Sequence, residues 1–235
     1  DDTQTADFIR EKFAIPHQVV TIDESSVLIV DDRQRRWRLP LGDENYTKLI
    51  GQDVVRICRE VATERDLFNC HGTFYELPAE NADGYAKIRP IASHNFRIND
   101  YASYRGMLVM TGIDPKKDKD NEHIIVSEDG KAAVWAGAID DLWSMGKPTG
   151  KGGPWKNTLV KAGEVSDPYL IGFYDKKNLT LSHNSQKDVT FTIEIDPTGN
   201  GKWVNYTTLT VKPGEKLAYE SVSYTHLRAH ETRGN

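Results

Sequence analysis

The sequence predicts an all-β fold, a partial β-propeller of about four blades of antiparallel strands, and three observations carry that expectation. The first is one local pattern met four times: an alternating apolar run, a polar turn, then a second alternating run. It occurs at residues 27–30 and 35–40 about the turn 31–34, at 67–68 and 73–78 about His71-Gly72, at 124–126 and 132–135 about 128–130, and at 170–173 and 179–181 about 175–177. The second is spacing. Leu39-Pro40 to Leu77-Pro78 is 38 residues and Asp129 to Asp175 is 46, intervals that suit four-stranded propeller blades. The third is that one hairpin cannot bury both its faces, so a repeated hairpin implies repeated packing. A β-sandwich is the alternative for the C-terminal part.

Taken in order, Phe8, Ile9 and Phe13 have near-helical spacing and predict a short helix ended by Pro16. Residues 19–40 read as strands. Residues 54–61 fit either a helix face or a strand, with the β-branched content favouring a strand. Residues 64–113 are dense in strand material, and Arg36, Arg38, Arg56 and Arg59 alternate as strand-surface charges do. Residues 114–121 form a solvated loop, because lysines interleave its carboxylates. The stretch 146–163 holds five glycines and two prolines and predicts a long irregular excursion, either a linker or a loop lying over a neighbouring blade. In residues 189–206, Phe191, Ile193 and Ile195 face one way while Thr190, Thr192 and Glu194 face the other, and 196–201 is hairpin-turn chemistry.

The domain expectation is propeller blades over 1–165, a last blade or small β-sandwich over 166–221, and a non-native tail over 222–235. The tail reads SYTHLRAHETRGN at its end, which resembles a translated adaptor read-through at the ends of metagenomic reading frames. The chain starts at Asp1 in mid-sequence style, so an internal or C-terminal piece of a longer protein is expected.

Composition narrows the partners. The formal net charge of −5 argues against a general nucleic-acid backbone binder, which needs a basic face. No apolar run approaches the ~18 residues of a membrane span. Cys58 and Cys70 are the only cysteines, so no disulfide framework is implied, and whether the two pair is left open. No zinc motif, nucleophile elbow, phosphate loop or dinucleotide fingerprint is present, so no metal or cofactor is expected.

Chemistry concentrates in residues 63–105. His71, His94 and Tyr75 are the candidate catalytic groups, since imidazole and phenol can exchange protons and Gly72 allows close approach to the first of them. Glu76, Arg97 and Arg105 are candidate substrate-binding groups, with arginine suited to gripping a carboxylate. Trp135, Trp143 and Trp155 suit either sugar stacking or wedges between blades, and Trp135 is the one assigned to substrate binding. Asp140 and Asp141, being adjacent, point apart on a strand and read as turn or helix caps.

The phrases ERDLFNCHGTFYELPAENADGYAKIRPIASHN, YRGMLVMTGI and AVWAGAIDDLWSMGKPTGKGGPW resemble the C-terminal part of bacterial proteins from polysaccharide-degrading loci. These are similar to β-propeller carbohydrate-active enzymes, a group with propeller rhamnosidases and uronate-active polysaccharide lyases. The resemblance spans roughly residues 20–221. It implies a secreted or periplasmic protein with a carbohydrate substrate, acting as a glycoside hydrolase or polysaccharide lyase on acidic or rhamnose-containing glycans. On it, His71 or His94 transfers the proton and Arg97 or Arg105 anchors a carboxylate. The alternative is a non-catalytic glycan- or protein-binding scaffold.

Overall fold

Alternation of apolar and polar residues, punctuated by turns that tolerate positive φ, builds a chain of short strands. The computed structural model describes residues 3–5, 8, 20–47, 55–60, 65–117, 120–221 and 226–233. The strands are β1 (Val20–Ile22), β2 (Val27–Val30), β3 (Arg36–Leu39), β4 (Val55–Glu60), β5 (Arg65–Cys70), β6 (Thr73–Leu77), β7 (Arg89–Ser93), β8 (Tyr101–Tyr104) and β9 (Met107–Ile113). They continue as β10 (Ile124–Val126), β11 (Ala133–Gly137), β12 (Tyr169–Leu170), β13 (Lys177–Ser182), β14 (Val189–Asp196), β15 (Val204–Val211), β16 (Lys216–Ser221) and β17 (His226–Arg233). One helical turn, Glu44–Thr47, links β3 to β4. Of the expected N-terminal helix, residues 3–5 and 8 are helical, and Ile9 and Phe13 lie outside the described residues. The fold is all-β, as expected, in several small and mainly antiparallel sheets.

Among the described residues the first sheet runs β1-β2-β3-β12-β17-β14-β15, the second β4-β5-β6-β7, the third β8-β9-β11-β10, and β13 pairs with β16. Of the ambiguous segment at 54–61, Val55–Glu60 form a strand, paired residue for residue with β5. Three of the four expected hairpins form: β2–β3, β5–β6 and β10–β11. The fourth does not. β12 pairs with β3 and β17, while β13 takes β16 from forty residues away. Phe173 enters the left-handed region at φ 67 in the intervening turn, a conformation rare for a bulky side chain, so the chain leaves β12 in another direction.

The first three sheets stack face to face. On β5, Leu67 and Asn69 point one way and Phe68 and Cys70 the other, and the register Phe68↔Tyr75, Asn69↔Phe74 carries both faces across β6. Leu67 and Phe74 meet Leu108, Met110 and Trp135 of the third sheet. Phe68, Cys70 and Tyr75 meet Val27, Ile29 and Leu39 of the first. Each such side chain, fully withdrawn from water, contributes about 1.5–3 kcal/mol. Alternation alone requires one of Phe74 and Tyr75 to leave the core. Neither does, because sheets cover both sides.

In the C-terminal part, β14 and β15 of the first sheet pack against the β13–β16 pair. Val189, Phe191, Ile193 and Val211 of β14–β15 pack on Leu179, Leu181 and Leu217 of β13–β16. The Asp196 carboxylate accepts N–H bonds from Thr198, Asn200 and Gly201 and closes the β14–β15 turn. Residues 226–233, set apart in the sequence as a tail, pair with all of β14 and with β12. Strand addition uses main-chain donors and acceptors, which every sequence carries, so a change of side-chain texture does not prevent it. The register sets Cys58 across from Leu67 and Cys70 across from Thr73, and Cys70 is a free, buried thiol.

Candidate functional site

The two expected catalytic histidines do converge, through a residue the sequence did not single out. His71 (φ 49) and Gly72 (φ 80) form the two-residue turn between β5 and β6, the positive-φ pair that a tight hairpin needs. His71 Nδ1 accepts the Gly42 N–H at 2.8 Å. A Cβ at Gly42 would run into the His71 carbonyl oxygen, so only glycine lets the two backbones come this close. The Tyr46 ring lies 5.8 Å from the His71 ring and 5.9 Å from the His94 ring. Its hydroxyl sits 2.9 Å from the His94 carbonyl and 3.0 Å from that of Phe96. His94 Nε2 bonds Asn69 Oδ1 at 2.8 Å, and its ring lies against Phe74 and Phe96.

This cluster is closed. His71 is 1% exposed and His94 9%. Burial pushes the His94 pKa down to about 4, against a small opposing effect of the Phe96 backbone. Burial also lowers His71, against its own backbone bond and the nearby Asp43 charge. Both rings are therefore neutral near pH 7, and their hydrogen bonds hold the β5–β6 turn and the end of β7 in place.

The other expected site residues are dispersed. Tyr75 faces the opposite side of the second sheet beside Phe68, and burial raises its phenol well above the usual range. Trp135 is buried in the core between the second and third sheets, with the His123 ring 5.0 Å away. Trp143 by contrast is exposed, and Trp155 packs against the C-terminal cluster, so the three do not form one platform. Glu76 bonds Arg89 at 3.2 Å. Arg97 is exposed. Arg105, at the β8–β9 turn with φ 51, lies over the Tyr104 ring. Asp141 caps its turn through the Ala138 N–H, as expected for that residue.

An open cleft lies elsewhere, against the first sheet. The glycine-rich excursion runs past one end of this sheet as a strap. Thr149 bonds Ser93, Lys151 exchanges backbone bonds with Leu41, and Gly153 N–H reaches the Ser25 carbonyl. Gly152 (φ 124) passes so close to Ser25 that a Cβ would overlap its carbonyl oxygen. The strap then supplies Pro154, Trp155 and Thr158 to the lining of a cleft of about 390 Å³, together with Ser25, Arg36, Arg38 and Asp167.

Arg36 and Arg38 share one face of β3 because they are two residues apart. Asp167 is brought to them by the parallel pairing of β12 with β3. Its Oδ1 accepts Arg36 Nε at 2.8 Å, and its Oδ2 accepts Arg36 Nη2 at 3.2 Å and Arg38 Nε at 3.0 Å. Arg38 Nη1 donates to Asp23 Oδ2 and Ser26 Oγ, both at 2.8 Å. Burial by itself would raise the Asp167 pKa, but the bonds from Arg36 and Arg38 outweigh it and hold the carboxyl below the usual range. Asp23 shows the same balance, with Arg38 and the Ser26 and Ser25 N–H groups overcoming burial. Both carboxylates are thus ionised at neutral pH. Glu164 at the rim accepts the Lys161 N–H at 2.9 Å.

The arrangement offers fixed acceptors, fixed donors and an indole in one concavity, which is the composition of a site for a polar ligand. Among the described residues no three His, Cys, Asp or Glu side chains converge as metal ligands, and no helix is long and apolar enough to cross a membrane. Comparison with protein-family models, with curated proteins and with solved structures returns no match. The charged residues of the cleft were passed over in the sequence because Arg36 and Arg38 alternate like ordinary surface charges. Asp167 follows them by more than a hundred residues, and no local signal links the three.

Proposed function

We propose that this protein binds glycans, as the non-catalytic scaffold of a polysaccharide-processing β protein, and that sugar is held in the cleft between β3 and the glycine-rich strap. The observation that carries this reading is the Asp23–Arg38–Asp167–Arg36 array lining one cleft together with Trp155. Carboxylates and guanidinium groups fixed by one another can bond sugar hydroxyls without reorganising, and an aromatic wall suits the C–H face of a pyranose. Binding is favoured over turnover for two reasons. The histidines are sealed in a hydrogen-bonded cluster, and Asp23 and Asp167 are both ionised, whereas a hydrolase needs one carboxyl protonated.

A propeller-like arrangement is part of the proposal. It is supported by three sheets packed face to face, the second and third each formed from consecutive strands. It is supported further by the outer face of the third sheet, where Val109, Val134 and Ala136 are half-buried and Met107 and Ile125 exposed. Affinity electrophoresis through gels containing neutral or acidic polysaccharides tests the function. Retardation by at least one glycan, without release of reducing ends or unsaturated products, is expected. Unchanged mobility in every gel would refute it. Turnover abolished by His94→Ala with binding retained would establish the catalytic reading instead.

A further inference from the structure

The charge balance of the cleft selects its ligand. Arg36 commits two N–H groups to Asp167 in the parallel fork that arginine otherwise offers an incoming carboxylate. Arg38 is committed on both sides, to Asp167 and to Asp23, and its side chain is only 11% exposed. Two cations are therefore matched by two anions in an alternating row, and Glu164 at the rim adds a third negative charge. Among the described residues that line this cleft, a uronate finds no cation that is not already paired with a carboxylate. It meets Asp167 competing for the same guanidinium groups and is repelled by it, the arrangement by which interfaces reject a wrong partner.

A neutral sugar meets the opposite situation. An ionised carboxylate accepts about four hydrogen bonds and a hydroxyl both donates and accepts. Adjacent hydroxyls can therefore donate to Asp167 or Asp23 and accept from guanidinium N–H groups without displacing any existing pair. Pro154, Trp155 and Val165 supply the apolar surface beside this row.

We propose that the cleft binds neutral sugars through adjacent hydroxyl groups and excludes uronates, with Asp167 as the residue that sets this choice. The proposal rests on the glycan-binding reading and narrows it, setting aside the acidic glycans that the sequence resemblance allowed.

Titration calorimetry with two probes of equal length tests it, a neutral rhamnose-containing oligosaccharide and an oligogalacturonide. The wild-type protein is expected to bind the first at least about tenfold more tightly, the range set by one hydrogen bond to a charged group. Asp167→Asn removes one negative charge and leaves both arginines in place. It is expected to lose about tenfold or more in affinity for the neutral probe and to gain affinity for the oligogalacturonide, a gain that falls with added salt. Arg36→Gln, at a half-exposed position, is the second variant should Asp167→Asn fail to fold. It is expected to weaken the neutral probe with no gain for the uronate. A wild-type preference for the oligogalacturonide would overturn the proposal. So would unchanged affinity for the neutral probe in both variants, which would place glycan binding outside this cleft and leave standing only that the protein binds glycans. Absence of binding to either probe, and to every gel-embedded polysaccharide, would overturn both.

Discussion

Acidification from about pH 8 to about pH 5 is expected to destabilise this protein through His94, and the size of the effect follows from its surroundings. The ring lies among Tyr46, Phe74 and Phe96, with Nε2 bonded to Asn69. Burial lowers its pKa from 6.5 to about 4 in the folded protein. Between those values the unfolded chain takes up a proton that the folded chain refuses, so stability falls as pH falls through 6.5 and levels off below about 4. The difference corresponds to a ceiling of about 3 kcal/mol, of which about 2 kcal/mol is already lost at pH 5. His71 acts in the same direction, since its pKa is lowered too. Asp23, Asp31 and Asp167 act in a separate window. Their folded pKa values lie below 3.8, so their stabilisation is complete above that value and is lost only as pH falls below it. The assay is urea unfolding followed by tryptophan fluorescence at a series of pH values. His94→Gln keeps an N–H donor for Asn69 but cannot ionise. It is expected to be less stable than wild type near pH 8, through lost ring packing, and to show a pH dependence between 7 and 5 flatter by about 2 kcal/mol. Parallel curves for the two proteins would refute the assignment of this acid sensitivity to His94.

Three further outcomes are expected. Gly152→Ala forces a Cβ onto the Ser25 carbonyl at φ 124; it should cost about 2–4 kcal/mol in thermal unfolding and weaken sugar binding by displacing the strap. An Asp196→Ala variant loses the acceptor of three backbone N–H groups. A destabilisation of about 1–3 kcal/mol is expected, with faster amide exchange at Thr198, Asn200 and Gly201, and unchanged exchange there would count against the capping role. Finally, the Cys70 thiol is fully buried and its pKa is pushed up to about 12 by that burial. It should react with a thiol reagent only at the rate of opening or unfolding, so reaction in native buffer as fast as in denaturant would contradict its placement.

What could be read from the residues themselves was whatever is decided within a few positions of chain. The β2–β3, β5–β6 and β10–β11 hairpins were legible because turn chemistry and alternation are both local, as was the β14–β15 pair with its Asp196 turn. The strand at β4 was legible from its β-branched content. The choice of partner was not. Residues 170–173 and 179–181 carry the same alternation as the true hairpins, yet β12 joins β3 and β17, and β13 joins β16. Any extended backbone can satisfy any other, so only the assembled sheets decide between them. The same limit governs the site residues. His71 was recognisable as a turn residue, but its closure depends on Gly42 and Tyr46. One of Phe74 and Tyr75 was expected to face away from the core, and a second covering sheet removes that freedom. Arg36 and Arg38 looked like solvated charges until the return of the chain at β12 set Asp167 between them. Local sequence determines which faces a strand has. What covers each face, and hence whether a polar side chain is structural or open to a ligand, is decided by segments distant in the chain and brought together only on folding.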